Sequence, residues 1–141
     1  MNIQTGRKLV SIIAVLAMGM FSPSATQAGC VQSDLDGTWY AYAATMMRCK
    51  VDVNSSGSIV SSKSSCSIRD ETGRYSVDVG GGNLGISNAC LIKGKMRICD
   101  ARCVGFKIEH GRLERDKNML ILEGYFAVEP DVTITLVGVK K

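Results

Sequence analysis

Six cysteines, Cys30, Cys49, Cys66, Cys90, Cys99 and Cys103, are the side chains of this sequence best suited to chemistry. Thiols bind metal, run redox exchange or form structural disulfides. Cys99 and Cys103 are spaced C-x-x-x-C rather than the C-x-x-C of thioredoxin-like sites. No second close cysteine pair and no histidine pair completes a zinc set, so neither a metal nor a cofactor is expected. His110 is the one histidine and hence the one neutral-pH base for a nucleophile, and it stands beside Gly111 where a turn is expected. Serines gather in Ser55–Ser67 without a G-x-S-x-G elbow. Asp70 and Glu71 are adjacent, so on a strand they point to opposite faces and do not cooperate as acid and base. Gly80-Gly-Gly-Asn83 is not followed by a helical pattern, which rules against a phosphate loop. No catalytic residue is assigned, and the chain is read as not an enzyme.

The cysteines all follow an export signal. Residues 1–8 carry Arg7 and Lys8 and no acid; residues 9–21 are almost wholly apolar; Thr26-Gln27-Ala28 offers small residues for a signal peptidase. The apolar run of 13 residues is short of the roughly 20 that span a bilayer. Residues 1–28 are therefore expected to be cleaved, leaving 29–141 in the periplasm or outside the cell with no stable membrane insertion. Gln27-Ala28-Gly29-Cys30 also resembles a lipoprotein motif. It lacks the large aliphatic residue before the cysteine, and lipidation would leave an odd number of thiols, so anchoring through Cys30 is the lesser reading.

The mature chain has 113 residues and a net charge of +2, enough for one domain and too little charge to argue for nucleic acid. Lys93–Lys117 is more basic, at +4, and its interspersed acids read as a solvated face.

Period-two alternation recurs along this mature chain. The inward sets are Met47, Cys49, Val51, Val53; then Tyr75, Val77, Val79; then Val104, Phe106, Ile108. Leu120, Leu122, Phe126 and Val128 follow, with Gly124 marking a bend, and then Val132, Ile134 and Leu136. Turn formers separate the runs: Asn54–Gly57, Glu71–Gly73, Gly80–Asn83, Lys93-Gly94, His110-Gly111, Asp116–Asn118 and Pro130-Asp131. Met96–Val104 is the one weak place for a helix. The expected fold is all-β: a single antiparallel up-and-down barrel of about eight strands, stapled by disulfides, with a β-sandwich as the alternative. Cys49 and Cys66 fall nearly opposite each other on one hairpin, and a bridge there contributes roughly 3 kcal/mol. The other four cysteines allow three pairings; Cys90–Cys99 across the Gly94 turn and Cys30–Cys103 are the expected ones.

The mature chain opens with Gly37-Thr38-Trp39 on its first strand, followed by Cys49-Lys50-Val51-Asp52-Val53 and Cys66. This G-x-W strand and cysteine hairpin, about 35 residues, resembles the calycin group of small secreted barrels, and most closely the bacterial Inh-type metalloprotease inhibitors. The resemblance implies that Gly37 and Trp39 form the barrel signature, with Trp39 plugging one end, and that an N-terminal trunk blocks a secreted protease. In this chain the segment before Leu35 is short and holds Cys30. Tyr40 and Tyr42 lie on the face opposite Trp39 and, with Arg48, form a candidate partner surface. The expected function is an exported, monomeric binding protein, as an inhibitor of a secreted protease. The alternatives are a small-ligand carrier and a structural envelope protein with no discrete site. The first expects a filled interior with function on Gly29–Asp34 or on loops; the carrier expects an open cavity.

Overall fold

Alternation gives each strand one face to bury, and an antiparallel meander buries all of them by closing on itself. In the computed structural model, which describes residues 29–44 and 46–141, the meander closes. Its strands are β1 (Gly37–Ala43), β2 (Met47–Val53), β3 (Ser65–Asp70), β4 (Gly73–Ile86), β5 (Leu91–Cys99), β6 (Cys103–Leu113), β7 (Met119–Phe126) and β8 (Glu129–Lys140). Each pairs antiparallel with the next, and β8 returns to β1. The expected up-and-down barrel forms, and the sandwich does not. The expected signal, residues 1–28, lies outside the described residues. Met96–Val104 is not helical: it is the end of β5, a turn and the start of β6.

The inward sets fill the barrel. Met47, Cys49, Val51 and Val53 on β2 are buried, as are Val77 and Val79, Phe106 and Ile108, Leu120 and Leu122, and Leu136. The void left inside is about 20 Å³, room for one water at most, and its walls are apolar. Phe106 meets Phe126 edge to face at 5.1 Å between ring centres. Three residues expected inside are exposed: Tyr75 at 39%, Val128 at 70% and Val132 at 51%. Tyr75 and Val132 keep the inward phase but lie near the ends of β4 and β8, at the rim where the strands outrun the packed interior; Val128 is not on a strand, because β7 ends at Phe126 and Val128 falls in the turn before β8.

Four expected turns are parts of longer strands, three of them beside a slip in pairing. Gly80–Asn83 lies within β4, Gly94 within β5 and His110-Gly111 within β6. At each place the pairing register slips, between Val79 and Gly82, Ile92 and Gly94, and Ile108 and His110. The extra residue lies on β4 in the first case and on β6 in the other two, so these are β-bulges on β4 and β6, which bend a strand without ending it, and β5 runs through Gly94 without one. On β4 the buried set runs Val77, Val79, Gly81 and then Leu84, so the inward phase shifts by one residue across the bulge. Gly82 has φ of +151°, and a Cβ there would lie 2.2 Å from the Lys95 carbonyl oxygen on β5. Pro130-Asp131 is likewise inside β8, and the chain reverses just before it.

Cys49 and Cys66 are register partners on β2 and β3 and are bridged, as expected. The other two pairings differ from expectation: the bridges are Cys30–Cys90 and Cys99–Cys103. Gly94 does not turn the chain, so Cys90 and Cys99 lie at opposite ends of β5, separated by roughly 30 Å of extended strand. Cys99 instead faces Cys103 across the β5–β6 turn. Cys30 sits at the other end of the barrel, beside the β4–β5 turn, where its N–H donates to the Asn88 carbonyl at 3.1 Å.

A methyl group at Gly82 has no room and an unfavourable φ, whereas the nearest atom to a Cβ at Gly85 is 3.9 Å away. Gly82→Ala should lower stability by about 3 kcal/mol and Gly85→Ala by well under about 1 kcal/mol. Urea denaturation of both variants checks this.

Candidate functional site

The N-terminal segment was expected to be able to carry function, and its bonds hold it over one end of the barrel. Leu35 is fully buried. The Trp39 indole N–H donates to the Leu35 carbonyl at 2.8 Å, the backbone acceptor a buried tryptophan needs. Lys140 lies 5.4 Å from the centre of the Trp39 ring and donates to the Asp34 carbonyl at 3.1 Å. The Gln32 amide donates to the Leu84 carbonyl at 2.9 Å and accepts from the Ile86 N–H at 3.3 Å, acting as a short extra rung on β4. The Asp34 carboxylate accepts from the Val31 N–H at 2.8 Å and pairs with Lys117 at 2.9 Å. With the Cys30–Cys90 bridge, residues 30–36 are a fastened plug rather than a free trunk. A sulfur in that bridge carries no lipid thioether.

Tyr40, Tyr42 and Arg48 do come together. On the outer wall Tyr42 is opposite Arg48, Arg48 opposite Ser67, and Ser67 opposite Ser76. Tyr40, Lys50 and Ser65 form the next row. The serines are short, so the tyrosines and cations wall a shallow recess of about 300 Å³. Arg74 reaches in from β4 and donates to the Ser67 hydroxyl at 3.0 Å. Neither Arg48 nor Lys50 forms an ion pair among the described residues.

The barrel closure extends this surface beyond what the sequence placed there. Across the seam Tyr40 is opposite Val139 and Tyr42 opposite Val137; Val139 and Val137 are in turn opposite Met119 and Ile121 on β7. Val137, Val139, Met119 and Ile121 all point outward and are exposed. Six apolar or aromatic side chains thus make two rows across three strands, with Arg48 and Lys50 along one border. Each residue is out of phase with its strand's inward set, a signal present in the sequence. The β1–β8 register, which brings the strands side by side, was the missing part.

A second recess lies at the barrel end opposite the plug. There an apolar groove of about 410 Å³ runs between the β1–β2 hairpin and β8. Met46, Val128 and Val132 at this end are well exposed.

The other candidates line neither recess. His110 is exposed on β6 opposite Glu123. Asp70 accepts from the Thr72 hydroxyl at 2.6 Å, the Thr72 N–H at 2.8 Å and the Gly73 N–H at 3.2 Å, so it shapes the β3–β4 turn. The Thr72 hydroxyl is the main cause holding its carboxyl below the ordinary range. In the basic flank, Lys107 pairs with Glu109 at 2.9 Å and Arg97 donates to the Gly80 carbonyl at 2.7 Å. No group of three or more metal-ligating side chains occurs among the described residues. Their three disulfides are the mark of an oxidising compartment, and no helix among them is long and apolar enough to cross a membrane. No protein-family model, curated protein or solved structure matches this chain.

The Asp34 carboxyl is held below the ordinary aspartate value of 3.8, first by the Val31 N–H and then by Lys117. A carboxyl lowered by folding stabilises fully above its unfolded value, and that stability is lost as pH falls through the folded value. Asp34→Asn should therefore remove part of the stability that the wild type loses as pH falls below the ordinary aspartate value of 3.8. Thermal melts of wild type and variant across this range should converge at the acid end.

Proposed function

We propose that the mature chain is an exported, non-enzymatic binding protein that meets a protein partner through its outer wall. The observation that carries this reading is the pair of apolar rows, Tyr40–Val139–Met119 and Tyr42–Val137–Ile121, bordered by Arg48 and Lys50. Exposed apolar patches rimmed by charge are features of partner surfaces, and tyrosine and arginine are enriched among residues that dominate binding. The filled interior argues against carriage of a small ligand inside the barrel. The cleavable signal read in residues 1–28 and the three disulfides support export.

Inhibition of a secreted protease is the specific form implied by the G-x-W resemblance. The fastened segment, residues 30–36, directs that activity away from a trunk mechanism and toward the wall. A partner for this surface carries an apolar centre and acidic groups facing Arg48 and Lys50.

Mature protein, residues 29–141, used as bait against periplasmic and secreted extract, should enrich a specific partner. Tyr40→Ala combined with Val139→Ser should weaken that complex by about 30-fold while the melting temperature stays near wild type. Arg48→Glu should slow association and flatten its salt dependence. Retention of the partner by both variants would remove the wall from the interaction. If the partner is a protease, titration with wild type should abolish its activity.

A further inference from the structure

The barrel seam is closed along only part of β8. β1 pairs with β8 through Trp39–Tyr42 and Val137–Lys140. On its other side, β8 pairs with β7 from Val139 back to Glu129. Among the described residues, no strand meets the β1-facing edge of β8 over residues 129–136. The apolar groove lies beside this edge. Met46 and Met47 stand on one wall, Ile134 and Val132 on the other, and Ile68 and Phe126 also line it.

These observations select the occupant. A lipid tail or small apolar molecule would fill the groove and leave the row of backbone N–H and C=O groups unmet. An extended peptide satisfies both, by adding a strand to the edge and placing alternate side chains in the groove. A second copy of this chain fits poorly, because its β8 already carries β7 and would drive that strand into the β1–β2 hairpin. The edge also sets a length. Pro130 offers no N–H, so regular pairing is confined to Val132–Leu136, about 16 Å of strand. Beyond it stand Glu129 and Asp131, which form no ion pair among the described residues. Glu129 lines the groove end.

We propose that this open seam binds an extended segment of a partner protein as an added strand, its alternate residues aliphatic and its end at Glu129 basic. The site is separate from the outer wall, and either can fail without the other.

The test uses the mature protein and blocked synthetic hexapeptides. One series is Lys-Val-Thr-Ile-Thr-Val and its reversed sequence; a second replaces Lys with Glu. Two further versions of the better binder carry N-methyl groups on either the odd or the even backbone amides. Binding is read by the amide resonances of Val132–Leu136. The Lys peptide should bind more tightly than the Glu peptide, and Glu129→Lys should reverse that order. One N-methyl pattern should weaken binding by about tenfold, because it removes donors facing β8, and the other should have little effect. Val139→Ser, which cuts the outer wall, should leave binding unchanged. Equal binding of the two N-methyl peptides would reduce the groove to a nonspecific apolar surface and overturn the proposal. Absence of binding by the whole series, or concentration-dependent dimerisation that buries Val132–Leu136, would overturn it as well.

Discussion

Closure of the sheet is the constraint on which this molecule depends. It rests on four residue pairs between the first strand and the last, Trp39–Tyr42 with Val137–Lys140. Those pairs close the sheet and shorten the free edge, which a small sheet cannot leave fully exposed without risking aggregation. They bring Trp39 over the fastened N-terminal segment, so one barrel end is sealed by an aromatic ring, a buried Leu35 and a chain of hydrogen bonds. They also set the outer surface, because Tyr40 and Tyr42 acquire Val139 and Val137 as neighbours only through that register. Eight strands of unequal length cannot all close together along their full length, and the surplus of β8 is the open seam.

The interior is filled by the barrel's own side chains. A barrel of this size has room inside either for a ligand or for its own side chains. Here large residues such as Phe106, Leu136 and Ile92 take that space, and each contributes roughly 2 kcal/mol through burial. The Cys49–Cys66 bridge occupies inward positions too, beneath the tyrosine and serine wall. The wall therefore sits on a cross-linked part of the sheet, and under the proposed function a platform fixed in this way would lower the entropic cost of binding.

Much of this architecture was legible in the sequence. Alternation assigned the inward residues of β2, β6 and β7 because period two depends only on backbone geometry. The Cys49–Cys66 bridge followed because both residues lie on one hairpin. Gly80–Asn83, Gly94 and His110-Gly111 misled because glycine serves turns and bulges by its conformational freedom, as at Gly82, and also serves continuous strands where a neighbour passes too close for a Cβ, as at Gly94; local sequence does not say which. That one ambiguity propagated: a turn placed at Gly94 put Cys90 opposite Cys99 and so displaced two disulfides. Tyr40, Tyr42 and Arg48 could be read as a shared outer surface from parity and hairpin geometry. Val137, Val139, Met119 and Ile121 could not be joined to them, because closure between residues nearly a chain length apart leaves no local mark.

The disulfide map also bears on how the protein is made. Exported chains emerge N-terminus first, and an oxidase that joins cysteines as they arrive would link Cys30 to Cys49 and Cys66 to Cys90. The native Cys30–Cys90 bridge instead encloses Cys49–Cys66, so the pattern is nested and cannot be built in order of arrival. Cys30 must stay reduced until β4 and its following turn are present, or be released from a wrong partner by thiol exchange. Maturation is thereby tied to a disulfide isomerase, or to the speed with which the first four strands assemble.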